Sequence, residues 1–121
     1  MCSSDLAVPT NCEDAAVYRA PSGAYRVVFH CGCSYLVAVS PDGVHYSAVG
    51  APKPWCNVTY DDGTAETMQR RERPHLIFDR ATGYITHLVT AVQPPPSAKK
   101  APPPGFQNDY TWTSVQPVVS V

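Results

Sequence analysis

Glu13-Asp14-Ala15-Ala16-Val17-Tyr18-Arg19-Ala20, then Pro21-Ser22-Gly23, then Ala24-Tyr25-Arg26-Val27-Val28-Phe29-His30 is the stretch that decides the fold. Two runs rich in Val, Tyr and Phe flank a proline–glycine reversal, the pattern of an antiparallel hairpin. Moving outward, Ser34 to Ser40 and Val44 to Ala48 repeat that type, separated by Cys31-Gly32-Cys33 and by Pro41-Asp42-Gly43. Four consecutive antiparallel strands, over 15–48, are expected. Beyond the Pro52/Pro54 break, Asn57 to Tyr60 and Thr64 to Gln69 predict a polar hairpin around Asp61-Asp62-Gly63. His75 to Asp79, Tyr84 to Val92 and Tyr110 to Val115 then return to apolar strands, interrupted by Pro94-Pro95-Pro96 and Pro102-Pro103-Pro104. That proline-rich excursion, with Lys99-Lys100 inside it, reads as a solvated loop because it cannot pair in a sheet.

Composition agrees and sets limits. The chain has 121 residues, which allows one domain with a modest core. Its 13 prolines, about twice the usual share, disfavour long helices. A formal net charge of −1 leaves no basic field for a row of phosphates, so no nucleic-acid partner is expected. No apolar run has the length of a membrane span, and Asp5 and Pro9 interrupt the stretch where an export signal would lie. The expected layout is an N-terminal extension over 1–11, a first sheet over 12–50, and a loop and hairpin over 51–71. A second sheet follows over 72–117, with the proline-rich loop at 93–109.

Five cysteines, Cys2, Cys12, Cys31, Cys33 and Cys56, suggest an oxidising compartment and two disulfides with one thiol left over. At least one of Cys31 and Cys33 is expected within bridging reach of Cys12 or Cys56. Asn57-Val58-Thr59 is an N-glycosylation sequon, making Asn57 a candidate acceptor and the chain a candidate secreted protein. His30-Cys31-Gly32-Cys33 lacks the spacing of a zinc knuckle and has no second Cys/His pair, so neither a metal nor any other cofactor is expected.

The start of the fold-deciding stretch recurs. Glu13 to Tyr18 aligns with Glu72-Arg73-Pro74-His75-Leu76-Ile77, 59 positions later, and after a one-residue gap Gly23 falls on Gly83. An acidic residue, a strand, a glycine turn and a long apolar strand occur in both copies. Repeated four-stranded meanders are how β-propeller blades look in sequence, whereas a small β-sandwich would carry such a likeness only by accident. The predicted class is all-β, with two consecutive four-stranded antiparallel blades of a partial β-propeller.

Glu13-Asp14 before a strand, the Ser40-Pro41-Asp42-Gly43-Val44-His45-Tyr46 turn and Arg70-Arg71-Glu72-Arg73-Pro74-His75-Leu76-Ile77-Phe78-Asp79, followed by Thr86-His87-Leu88, resemble the later blades of five-bladed propeller glycoside hydrolases of the arabinanase and β-xylosidase type. The resemblance spans roughly 11–117. It implies a carbohydrate partner held in a central funnel, Asp14 in the place of an aspartate that tunes the catalytic acid, and Glu72 in the place of that acid. Glu13, Arg71, Arg73, His75 and His87 are candidate substrate-binding residues around them. Five blades need more than twice this chain, so it looks like two blades of a longer ring. The missing blades, or a second chain, would then cover its sheet edges, and activity alone is not expected. Read without the family, Glu72 among Arg70, Arg71 and Arg73 is the centre of an arginine network, His75 and His87 are ordinary strand histidines, and the chain is a non-catalytic extracellular module binding sugars or proteins.

Overall fold

A computed structural model describes residues 9–95 and 111–118. Cys2, Lys99, Lys100, Pro102 to Pro104 and Tyr110 lie outside the described residues, and with them most of the expected proline-rich loop. The described chain is all-β, with antiparallel pairing throughout. No helix in it is long and apolar enough to cross a membrane.

The first sheet is a meander of β1 (Cys12–Arg19), β2 (Tyr25–Cys31), β3 (Ser34–Ser40) and a broken fourth strand, β4 (Ser47–Ala48) followed by β5 (Lys53–Pro54). Both pieces pair with β3: Val39 faces Ser47, and further along Ser34 faces Pro54. Gly50 to Pro52 lie in the gap between them. Prolines are tolerated because β5 lies on the sheet edge, where a missing N–H costs no ladder bond.

The polar hairpin forms as β6 (Asn57–Thr59) and β7 (Ala65–Thr67). The second sheet has the order β10 (Trp112–Pro117), β9 (Ile85–Gln93), β8 (Arg70–Phe78), three strands among the described residues. The β8 strand begins at Arg70, five positions before the apolar run the sequence announced. Val58 and Met68 from the hairpin pack on Val92 of β9, with Tyr60 and Trp112 at the margin, and this cluster is the core beneath the second sheet. Val27, Leu36 and Ala38 are buried in the first.

The sequence repeat is also a structural repeat. In β1 the register slips by one residue between Glu13 and Ala16, opposite His30 and Val28; in β8 it slips by one between Glu72 and His75, opposite Ala91 and Val89. Each slip is a β-bulge, and each places one non-glycine residue in the left-handed region, Asp14 at φ 52° and Arg73 at φ 55°. Asp14 and Arg73 are 59 positions apart, the offset of the repeat. The turns match too: Gly23 N–H donates to Ala20 O at 2.8 Å, and Gly83 N–H donates to Asp79 O at 2.9 Å. Both glycines have positive φ, 91° and 74°, which an L side chain would resist.

Two disulfides staple these parts. Cys12–Cys31 crosslinks residues that face each other across β1 and β2, and Cys33–Cys56 ties the first sheet to the segment entering the hairpin. The expectation for Cys31 and Cys33 therefore holds for both. Two disulfides are compatible with an extracellular protein. They also exclude these four cysteines as thiolate ligands for zinc.

The Ser40 to Tyr46 turn is held by Asp42. Its Oδ1 accepts from Val44 N–H, His45 N–H and Ser40 Oγ, each at 2.9 Å, and Oδ2 lies 2.7 Å from His45 Nδ1. The His45 backbone N–H first, then its ring and the Val44 N–H, hold the Asp42 carboxyl far below the ordinary aspartate range. Folding thus favours the ionised form. The resulting stability is present above the unfolded carboxyl's pKa, near 3.8, and is lost as pH falls through and below that value toward the folded one. Asp42→Ala should therefore lower Tm at pH 7 and narrow the gap to wild type on titration toward pH 2. A gap of constant size across that range would contradict the assignment.

Candidate functional site

The two sheets meet along their first strands. Tyr18 of β1 and Phe78 of β8 lie with ring centroids 5.6 Å apart across this seam, and two cavities flank it. Each is lined by residues of both first strands, because the matched bulges bring the same repeat positions to the seam.

One cavity, of about 370 Å³, contains Glu13, His30 and Gly32 from the first sheet's side, with Gln69, Arg70 and Glu72 from the second. Glu13 and Glu72 are the equivalent acidic residues of the two repeats, so the offset seen in sequence becomes two carboxylates around one space. The other, of about 480 Å³, is lined by Asp14 to Tyr18 of β1 and by Arg73, His75 and Phe78 among β8 residues. Both volumes fall in the range of small-molecule sites.

The sequence-predicted residues separate accordingly. Glu72 shares its cavity with Glu13 and Arg70, while Asp14 lines the neighbouring one with Arg73 and His75. Arg71 lies apart from both. It is 3% exposed, and its guanidinium donates to Thr90 Oγ1 at 3.0 Å, Trp55 O at 2.8 Å and Gln116 Oε1 at 2.9 Å. Burial lowers its pKa. The three arginines beside Glu72 in sequence thus go three ways instead of forming one network. His87 also lies away from the cavities, with Nδ1 3.0 Å from Thr86 Oγ1 in β9. Asn57 is exposed at the start of β6.

His30 is the functional candidate that sequence reasoning passed over. It is 3% exposed, with Nε2 3.4 Å from Glu13 Oε1 and Nδ1 3.2 Å from Asp14 Oδ2. The second contact is not aligned as a hydrogen bond, so Nδ1 is a buried polar atom without a hydrogen-bond partner among the described residues. The signal was the cysteine pair: once Cys12 is bonded across to Cys31, Glu13 must stand opposite His30. No protein-family model, no curated protein and no solved structure matches the chain.

Proposed function

We propose that this chain is a partial, glycoside-hydrolase-like β-propeller that binds carbohydrate at the β1/β8 seam, in an extracellular setting. The observation that carries the reading is the placement of the two repeat-equivalent carboxylates, Glu13 and Glu72, around one cavity. Glycoside hydrolysis works with paired carboxyl groups on either side of the scissile bond, and Glu72 occupies the position that the family resemblance gives to the acid. Arg70, in the same cavity, supplies donors to sugar hydroxyls or to a carboxylate-bearing sugar. Asp14 stands next to Glu13 at the bulge, held beside His30.

Propeller blades are the finer form of the observed antiparallel meanders. The meeting of the two sheets along their first strands supports that form, since the first strand of each blade lines the axis. The exposed apolar side chains Val17 and Ile77, one on each first strand, fit further blades or a second chain continuing the ring. Hydrolysis by these residues alone is not expected, because the family's third carboxylate belongs to a blade outside this sequence. The disulfides and the exposed sequon at Asn57 support the extracellular setting.

Calorimetric titration with xylo- and arabino-oligosaccharides tests the reading. One site per chain is expected, weakened roughly tenfold or more by Glu72→Gln, in line with about 1.5 kcal/mol or more for a charge-assisted hydrogen bond. Aryl pentosides should remain uncleaved. Absence of pentose-oligosaccharide binding would remove the carbohydrate assignment, and robust cleavage abolished by Glu72→Gln would show that the described residues suffice for catalysis.

A further inference from the structure

We propose that Asp14 and His30, supported by Glu13, form a site for one divalent cation of the borderline class, Zn²⁺ in particular. This goes beyond the carbohydrate reading and does not depend on it. One potential ligand atom from each of the three residues lies within 4.8 Å of the others. An acidic pair alone would carry little weight; the buried imidazole between the carboxylates is what points to an ion.

His30 is 3% exposed, and its Nδ1 lacks a hydrogen-bond partner while lying 3.2 Å from Asp14 Oδ2. Leaving a buried ring nitrogen unpartnered is costly. An ion bonded to both atoms removes that cost. With metal–ligand bonds of roughly 2.0–2.1 Å, neighbouring ligands stand roughly 2.9–3.4 Å apart in octahedral or tetrahedral geometry, and the Nδ1 to Oδ2 distance falls in that interval. Binding at Nδ1 requires the proton on Nε2, and Glu13 Oε1, 3.4 Å from Nε2, is placed to accept it. A carboxylate behind the ligating histidine is the usual outer support of such sites. Asp14 and Glu13 together balance the charge of the ion, and water completes the coordination at the exposed Asp14 side.

The choice of ion follows from the donors. Imidazole suits Zn²⁺ and its neighbours, whereas Ca²⁺ requires six to eight oxygens and Mg²⁺ prefers oxygen and retained water. The site is also pre-organised: Cys12 precedes Glu13, Cys31 follows His30, and their disulfide holds the two strands in register beside it. The bulge at Asp14 turns its side chain out of the normal alternation of β1.

Calorimetric titration of the oxidised, tag-free chain with ZnCl₂, with MnCl₂ and CaCl₂ as comparators, tests the proposal. One Zn²⁺ per chain is expected, bound at least tenfold more tightly than Ca²⁺. Asp14→Asn keeps the fold, since asparagine accepts the left-handed backbone at this position, and should abolish the transition. Glu13→Gln, at an exposed position, should weaken it roughly 10–100-fold. His45→Gln, which alters the other histidine–aspartate contact, should leave it unchanged. No saturable Zn²⁺ binding, binding unaffected by Asp14→Asn, tighter binding of Ca²⁺ than Zn²⁺, or loss of binding in His45→Gln would each overturn the assignment.

Discussion

An Arg71→Ala chain should unfold with a free energy about 3 kcal/mol or more below that of the parent. The estimate follows from what the guanidinium holds: Thr90 on β9, the Trp55 carbonyl in the segment before the hairpin, and Gln116 on β10. Removing it strands two acceptors on buried residues, Thr90 and the Trp55 carbonyl, at about 1–3 kcal/mol for each one left unsatisfied, while the exposed Gln116 can turn to water. It also removes the guanidinium stacked over the Trp55 ring, 5.2 Å from its centroid. Three divergent acceptors match the planar fork of arginine and not the single ammonium of lysine, so Arg71→Lys should recover little of the loss. Urea unfolding followed by tryptophan fluorescence measures it. A change below about 0.5 kcal/mol, the scale of ordinary surface substitutions, would show that Arg71 is not the tie between hairpin and second sheet.

Removing the Cys33–Cys56 bridge should cost about as much. It closes a loop of sequence separation 23, for which the chain-entropy relation gives about 3 kcal/mol. The described core is small, resting on the Val58, Met68 and Val92 cluster and a few side chains of the first sheet, so little else compensates. Cys33→Ser/Cys56→Ser should therefore lower Tm strongly while leaving the Cys12–Cys31 pair intact. The doubly substituted chain should also lose protection from hydrogen exchange first in β6 and β7, the elements that the bridge anchors. Unchanged stability would mean that Cys56 is held by packing alone.

Much of the strand pattern was legible, and the misses share a cause. Ser34 to Ser40 forms a strand with the ends that its turn signals predicted, and the Asp61-Asp62-Gly63 hairpin forms where the turn chemistry required it. Proline hid strand at two places. Pro54 stands in an expected break yet pairs on an edge strand, and the strand expected from His75 begins at Arg70, with Pro74 inside it because a bulge leaves it outside the ladder. Which strands form edges is a property of the assembled sheet, so no local pattern announces it. Arg71 was illegible for a related reason: within Arg-Arg-Glu-Arg every position looks solvated, and only the alternation of β8 decides which arginine turns inward.

One part of the site's geometry was legible through the repeat: equivalent acidic residues at the starts of equivalent strands pointed to a shared surface, and Glu13 and Glu72 line one cavity, whereas Asp14, which the resemblance paired with Glu72, lines the neighbouring one. The matching bulges at Asp14 and Arg73 are the structural form of that equivalence. The role of His30 depended on a disulfide connectivity that cysteine spacing alone does not give.

Titration of the ¹⁵N-labelled chain with a xylo- or arabino-oligosaccharide, read by amide chemical shifts, tests the central claim most directly. Shifts concentrated in 13–16, 30–33 and 69–76, on both sides of the β1/β8 seam and requiring roughly tenfold or more sugar in Glu72→Gln, are the predicted result. Shifts centred instead on the groove of Tyr60, Asp61 and Trp112, or no shifts at saturating sugar, would contradict it.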